Sequence, residues 1–240
     1  MKLVIVRHAD PDYENDALTE LGRKEAEALS ERMKNVKADK CYVSPLGRAK
    51  ETAKPCLEKM NMQAEEMWWL REFAPVVKRP EKNGVAWDWV PKDRVNMPYS
   101  FDPVRWTEYP ALEEAGVKEE VERVYGEFDA LLQKHGYRKE GKLFMAERPN
   151  MDTIVLFCHF GLECVLLSYL LDLPLFVLWH ATIAPPTGVT VVATEERREG
   201  TAQFRMLTFG DTSHLYAAGM SPSFSGRFRE CYTNENERKD

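Results

Sequence analysis

The hydrophobic positions of the chain gather into three short runs, each ending abruptly at polar residues. Leu3-Val4-Ile5-Val6 stops at Arg7-His8-Ala9-Asp10, Lys40-Cys41-Tyr42-Val43 at Ser44-Pro45-Leu46-Gly47-Arg48, and Asp152-Thr153-Ile154-Val155-Leu156-Phe157-Cys158 at His159-Phe160-Gly161. Short β-prone apolar runs of this kind predict buried strands. Helical spacing lies between them. Thr19 with Glu20 opens a charged amphipathic helix to about Val36, with Leu21, Ala26, Leu29 and Met33 spaced to face a sheet. A second helix follows Ser44-Pro45. Alternation of this kind predicts a doubly wound α/β domain.

Elsewhere the pattern changes. Residues 73–110 show no sustained period of either kind, but many prolines together with Trp87, Trp89, Tyr99, Phe101, Trp106 and Tyr109. So long an irregular stretch inside a compact domain is usually disordered or functional, and its aromatic content predicts a folded lid over the active edge. Residues 112–134 return to helical spacing through Val117, Val121, Val124, Phe128, Leu131 and Leu132, which predicts a long surface helix. A hairpin through Leu143-Phe144-Met145 is expected within the polar stretch 136–150. A buried helix over 161–171 and a short one over 175–180 follow. Val189-Thr190-Val191-Val192 and Phe204-Arg205-Met206-Leu207 read as strands joined by a turn over 195–200, forming an edge hairpin. The polar tail after Ser221 is expected to fray. No repeat or low-complexity tract interrupts the chain.

Composition narrows the class. A chain of 240 residues that is 44% apolar can bury one large core, so residues 1–240 are read as a single domain with an insert over 73–110. The net charge is −6 and the basic residues are scattered, which removes the electrostatic footprint of a nucleic-acid binder. Five dispersed cysteines without a C-x-x-C pair argue for free thiols and a cytoplasmic location. The amino terminus lacks the layout of a signal peptide. The greasy stretch over 162–179 is broken by Glu163, Asp172 and Pro174, so a core helix is expected there rather than a membrane span.

Ligands of open α/β sheets bind at the carboxyl ends of the strands. Parallel pairing of the three runs would bring Arg7, His8, Arg48 and His159 to that edge. Two guanidinium forks suit the gripping of phosphoryl oxygens, and the first turn after Ser44-Pro45 can direct N–H groups at an anion. Each histidine taken alone reads as an ordinary loop residue. Metal ligation is the competing use, yet His135, His180 and His214 show no H-x-x-x-H spacing and the carboxylates form no ligand cluster, so no metal is expected.

The blocks together carry a resemblance. Strand-Arg7-His8, Leu18-Thr19-Glu20-Leu21-Gly22-Arg23-Lys24-Glu25-Ala26, Ser44-Pro45-Leu46-Gly47-Arg48-Ala49-Lys50-Glu51-Thr52-Ala53, and strand-Cys158-His159-Phe160-Gly161 resemble, in order, the histidine phosphatase superfamily, the phosphoglycerate-mutase-like proteins. The resemblance covers most of residues 1–70 and 150–215. It implies a three-layer α/β/α sandwich with a mostly parallel sheet, an antiparallel edge and an inserted lid. It further implies a phosphohistidine intermediate on His8, phosphate binding by Arg7, Arg48 and His159, and neither metal nor other cofactor.

Members of the family carry a proton-donating acid either directly after the second histidine or on the segment after the third strand. Phe160 excludes the first location, and Glu72 matches the second, with Glu65 and Glu66 as fallbacks. The plainer reading makes Arg71 and Glu72 a solvated charged pair. Ala9 stands where the family usually has glycine. Asp10, Asp12 and Glu14 stand where many relatives place an asparagine or other phosphate donor, so these acids would orient a cationic or polyhydroxy part of the substrate. The extended motifs of the true mutases are absent.

The resemblance therefore implies a metal-independent phosphatase acting on a small phosphorylated metabolite, with no nucleic-acid or membrane partner. A phosphoglycerate mutase-type phosphotransferase and a non-catalytic phospho-ligand binding domain of the same fold are the alternatives; substrate and oligomeric state stay open. His214, in the segment Gly210-Asp211-Thr212-Ser213-His214-Leu215, is read as structural. Trp68, Trp69 and Trp179 are read as packing residues, and Cys158 as a small buried hydrophobe.

Overall fold

The computed structural model describes residues 1–79, 83–225 and 231–237. All three apolar runs form strands of one eight-stranded sheet. In chain order its strands are β1 (Lys2–Arg7), β2 (Lys40–Val43), β3 (Ala64–Glu66), β4 (Tyr137–Glu140), β5 (Leu143–Ala146), β6 (Thr153–Cys158), β7 (Val189–Arg198) and β8 (Thr201–Asp211). The spatial order is β3-β2-β6-β1-β7-β8-β5-β4. From β3 to β1 the pairing is parallel, and from β1 outward every pair is antiparallel. Only β7 and β5 are therefore reversed.

Continuous apolar runs follow from burial on both faces. Leu3 and Ile5 join Tyr42, Ile154 and Leu156 in the larger core, while Val4 and Val6 join Cys41, Val43, Val155 and Phe157 in the smaller one. Helices α1 (Glu20–Met33) and α2 (Gly47–Met60) cover the smaller core with Leu29, Met33, Ala53 and Cys56. Helices α3 (Val117–Lys134), α4 (Phe160–Leu171) and α5 (Leu175–Ala181) cover the other with Phe128, Leu132, Val165, Leu166 and Phe176. The result is a three-layer α/β/α sandwich. Asp172, Leu173 and Pro174 separate α4 from α5, and no helix among the described residues is long and apolar enough to cross a membrane.

Three local expectations need correction. The β7–β8 hairpin is not the edge: β7 pairs with β1, and the β4–β5 hairpin extends the sheet beyond β8. Phe144 of β5 and Phe204 of β8 meet with ring centroids 4.7 Å apart, an apolar contact that leaves the hairpin nothing to gain from the outside position. Leu21 is exposed rather than facing the sheet. The carboxylate of Glu25 accepts from the backbone N–H groups of Asp10 and Ser223, each at 2.8 Å, which turns that side of α1 toward the chain leaving β1. The same bond ties down the tail at Ser223; residues 226–230 and 238–240 lie outside the described residues. The helix expected over 112–134 is two, Pro110–Glu114 and α3, separated at Ala115-Gly116.

The aperiodic stretch 73–110 is folded in its described parts. Val76–Val77 pairs with Gly84–Val85, and a helix Pro91–Arg94 and a 3-10 turn Arg105–Glu108 follow. Phe73, Val77, Ala86, Trp89, Met97 and Trp106 belong to the larger core, so side-chain packing rather than a periodic backbone holds this segment.

Candidate active site

β1 and β6 pair with Arg7 opposite Cys158, so the next residues, His8 and His159, leave the sheet side by side. The His8 N–H donates to the Cys158 carbonyl at 3.0 Å, and the imidazole centroids are 5.1 Å apart. On the other side of β6, Val43 stands opposite Phe157 and the Ser44 N–H donates to the Phe157 carbonyl at 2.9 Å. This register carries Ser44 Oγ to within 2.7 Å of His159 Nε2. Arg48 comes from the first turn of α2. All four expected phosphate-binding residues are nearly inaccessible, with exposures of 3% for Arg7, 2% for His8, 9% for Arg48 and 0% for His159.

Burial first, then Arg7 and Arg48, hold His8 well below the ordinary histidine range. Burial, His8, Arg48 and Arg7 do the same to His159. Both imidazoles are therefore neutral at pH 7 in the unliganded protein. His8 Nδ1 lies 2.7 Å from the Ala9 carbonyl, which can only accept, so Nδ1 carries the proton and Nε2 the free electron pair. The loop around His8 is fixed by the Ala9 N–H on Thr52 Oγ1 at 2.9 Å and by the Thr187 N–H on the His8 carbonyl at 3.2 Å. Arg7 Nη1 donates to the Ala184 carbonyl at 2.6 Å. Ser44 Oγ accepts from the Leu46 N–H at 3.3 Å, and in the tautomer in which its own proton goes to His159 Nε2 the histidine proton is on Nδ1. That Nδ1 is buried and has no partner in the protein.

Glu72 follows the turn Trp68–Leu70, and its carboxylate sits on the N-terminus of α4. Oε1 accepts from the Phe73 N–H at 2.8 Å and the Leu162 N–H at 3.0 Å, and Oε2 from the Gly161 N–H at 3.4 Å. Burial raises its pKa; the backbone bonds and the positive charges of Arg7 and Arg48 oppose the rise. It is thus no solvated partner of Arg71, which stacks on Trp68 with its guanidinium carbon 5.1 Å from the ring centroid. Glu65 and Glu66 point away from the site, into surface ion pairs with Lys40 at 2.9 Å and Lys50 at 2.5 Å. Trp68 is exposed, against expectation, because the turn directs only Trp69 and Leu70 inward; Trp69 and Trp179 are core residues.

Gly161 marks where the insert meets this edge. A Cβ there would lie 2.5 Å from the Trp87 indole and 2.8 Å from Glu72 Oε1, so only glycine lets the three approach. Trp87 packs edge-on against Phe160 and donates from Nε1 to the Phe73 carbonyl at 2.8 Å.

Other acids have different uses. Asp10 accepts from the Thr19 hydroxyl at 2.7 Å, and Asp12 accepts from Asn15 Nδ2 at 2.8 Å and from the N–H groups of Glu14 and Asn15. Both carboxylates are thus hydrogen-bonded within the chain. His214 Nε2 donates to Thr187 Oγ1 at 2.9 Å, a structural bond. Sequence reasoning missed Ser44, Asp16 and Glu163. The Glu163 carboxyl is buried on α4, accepts a hydrogen bond from Thr190 Oγ1 on one oxygen, and its pKa is pushed up to about 8 by burial. Its signal was available: it is the sole charged residue in the apolar helix FGLECVLLSYLL. Among the described residues no group of three or more His, Cys, Asp or Glu side chains is placed to hold a metal.

The family model described as "Histidine phosphatase superfamily (branch 1)" matches residues 3–206. No curated protein matches the chain by sequence. Among solved structures, a hydrolase called mycobacterial hydrolase 1 is similar at 19% identity and a TM-score of 0.59, over 88% of this chain and 98% of that one. Phosphoserine phosphatase from Entamoeba histolytica in complex with 3-phosphoglyceric acid is similar at 16% identity and a TM-score of 0.59, over 89% and 98%. A mycobacterial glucosyl-3-phosphoglycerate phosphatase is similar at 19% identity and a TM-score of 0.56, over 87% and 98%. At these identities the likeness speaks for the fold, and the family match, spanning nearly the whole sandwich, speaks for descent: the chain belongs to branch 1 of the histidine phosphatase superfamily.

Proposed function

We propose that the chain is a metal-independent phosphatase that hydrolyses a small phosphomonoester through a phosphohistidine on His8. One observation carries the reading: the Ala9 carbonyl holds the Nδ1 proton of His8 and leaves the electron pair of Nε2 among Arg7, Arg48 and His159. Phosphomonoester hydrolysis is among the slowest uncatalysed reactions, so such a site must position the group and neutralise its charge.

Arg7 and Arg48 bind phosphoryl oxygens as planar forks, and His159 donates from its otherwise unpartnered Nδ1. His8 Nε2 forms the N–P bond as the bond from phosphorus to the substrate oxygen breaks, and protonated Glu72 delivers its proton to the departing oxygen. The Glu72 carboxylate then takes a proton from water, whose oxygen bonds to phosphorus as the N–P bond breaks and inorganic phosphate leaves. A carboxyl raised by burial suits both halves of that cycle. The segment 73–110 acts as a lid whose aromatic side chains contact the leaving alcohol. Five free thiols support the cytoplasm as the compartment. The neighbouring folds named for phosphoserine and glucosyl-3-phosphoglycerate favour a small phosphorylated metabolite as substrate.

The test is turnover of an aryl phosphate and of a panel of phosphorylated metabolites in the presence of EDTA, wild type beside His8→Ala. The variant is expected to lose at least about a thousandfold in kcat/KM. A wild type inert across the panel, an active His8→Ala protein, or loss of turnover on adding EDTA would each overturn the reading.

A further inference from the structure

The chain between β1 and α1 forms a small hairpin in which Pro11–Asp12 pairs with Ala17–Leu18, and its tip lies over Arg48. Asp16 Oδ1 accepts from Arg48 Nη1 at 2.6 Å, and Asp16 Oδ2 accepts from the Gly47 N–H at 2.6 Å. From the same tip, the Tyr13 ring covers the guanidinium, with its centroid 5.4 Å from the guanidinium carbon. The placement is built into the backbone. Asp16 holds a φ of +47°, in the left-handed region that few residues other than glycine adopt. A Cβ on Gly47 would come within 2.1 Å of the Asp16 carbonyl oxygen, so α2 has to begin with glycine for the hairpin to reach it.

The consequence falls on Arg48. With Nη1 taken by Asp16 and one face covered by Tyr13, the edge that bears Nε is the one left over, and Arg48 Nε is buried without a protein partner. Nε and Nη2 together form a planar fork that matches two oxygens of a phosphoryl group. We infer that Asp16 is a positioning residue that, with Tyr13, clamps Arg48 so that its Nε edge faces the phosphoryl group transferred to His8. The inference rests on the phosphatase reading above. The opposing possibility makes Asp16 an internal anion that competes with the phosphoryl group for Arg48. Asp16 holds Nη1 and leaves the Nε edge untouched, so the two anions use different edges, and this favours the clamp.

The experiment measures KM and kcat for an aryl phosphate, and the inhibition constant of inorganic phosphate, in wild type, Asp16→Asn, Asp16→Ala, Arg48→Ala and the Asp16→Ala/Arg48→Ala double variant. Asp16→Ala should raise KM and the phosphate constant together, about tenfold each. Asp16→Asn has the same shape but cannot accept from Arg48 and the Gly47 N–H at once, and should raise both about threefold. On the Arg48→Ala background, removing Asp16 should change either constant by less than about twofold, since a residue that acts only through Arg48 has nothing left to position. A merely structural role would persist in full on that background and would overturn the clamp. So would tighter phosphate inhibition in Asp16→Ala or Asp16→Asn, the mark of a competing anion. Thermal unfolding of each variant reports folding, and should Asp16→Ala not fold, Asp16→Asn with and without Arg48→Ala decides by the same criteria. An inert wild type sinks the phosphatase reading alone; calorimetric affinity for inorganic phosphate in the same variants then decides the clamp.

Discussion

Strand register places His8, Ser44 and His159, whereas side-chain packing places Glu72 and Trp87. The first group leaves three neighbouring parallel strands at matched positions, with Arg7 opposite Cys158 and Val43 opposite Phe157. Register changes only by whole residues, and a slip by one turns every side chain to the opposite face, so this end of the site is present or absent as a unit. Glu72 and Trp87 follow no register. Three backbone N–H groups hold the Glu72 carboxylate, and Trp87 rests on Phe160 and on the bare Cα of Gly161. Contacts of that kind vary by fractions of an ångström and can be altered one at a time. On the function proposed above, the invariable part of the chemistry, phosphoryl capture, would fall to the sheet, and the adjustable part, which alcohol leaves and how its oxygen is protonated, to the segment after β3.

The strongest way to break that division is Glu72→Gln. The amide keeps the shape of the side chain but can neither deliver a proton nor take one from water. With an alkyl phosphate, whose alkoxide needs a proton to depart, kcat should fall by roughly a thousandfold. An aryl phosphate has a leaving group that departs unaided, so the first step should survive and the second should not. Stopped-flow kinetics should then show one equivalent of phenolate released in a burst, followed by slow turnover as phosphohistidine accumulates. Equal losses on both substrates, with no burst, would show that Glu72 serves the phosphoryl-binding end instead and that the division is wrong.

How much of this was legible in the sequence follows the same line. Every strand that ends in a site residue was marked by a run of apolar residues stopping at a polar one, because burial on both faces of a parallel sheet leaves no polar positions within the strand. Arg7, His8, Arg48 and His159 could therefore be grouped from sequence. Glu72 was reached through the family resemblance; nothing in Leu70-Arg71-Glu72-Phe73 tells a buried carboxylate from a solvated one, since two of its three N–H partners, those of Gly161 and Leu162, lie 89 and 90 residues away. Asp16 was hidden among the acids of Asp10-Pro11-Asp12-Tyr13-Glu14-Asn15-Asp16, of which Asp10 and Asp12 are occupied within the chain. The β4–β5 hairpin was foreseen as a hairpin, but its docking on β8 depends on Phe144 meeting Phe204, a contact that local pattern does not encode.

A smaller effect sharpens the adjustable side. Trp87→Ala removes the indole that fills the space above Gly161 and the bond to the Phe73 carbonyl. If the insert sets the fit of the alcohol, KM for the preferred metabolite should rise about tenfold, while the inhibition constant of inorganic phosphate, which has no alcohol part, stays within about twofold. Parallel measurement of the two constants checks this. A matching rise in the phosphate constant would mean that the insert also shapes the phosphoryl end.

The smallest effect asks whether the insert and the sheet unfold together. His180 on α5 joins them: its Nδ1 donates to the Phe176 carbonyl at 2.7 Å, and its Nε2 accepts from the Trp89 N–H of the insert at 3.3 Å. Burial, with Arg94 and Arg79 adding to it, pushes its pKa down to about 4, against 6.5 for an unconstrained histidine. Between those values the unfolded chain binds the proton and the folded protein does not. The contribution of neutral His180 is thus full above about pH 6.5 and lost as the pH falls toward 4. At pH 5.5 the loss is about 1 kcal/mol, or about 2–4 °C in the unfolding midpoint for a chain of this size. In His180→Gln the amide oxygen can still accept from the Trp89 N–H and does not titrate, so the midpoint of this variant should fall less between pH 7.5 and 5.5 by that amount. His214, also held near 4, titrates in both proteins and cancels in the comparison. If the two midpoints fall in parallel, the joint at His180 opens before the sheet unfolds, and the insert is a separate unit resting on a sheet that is stable without it.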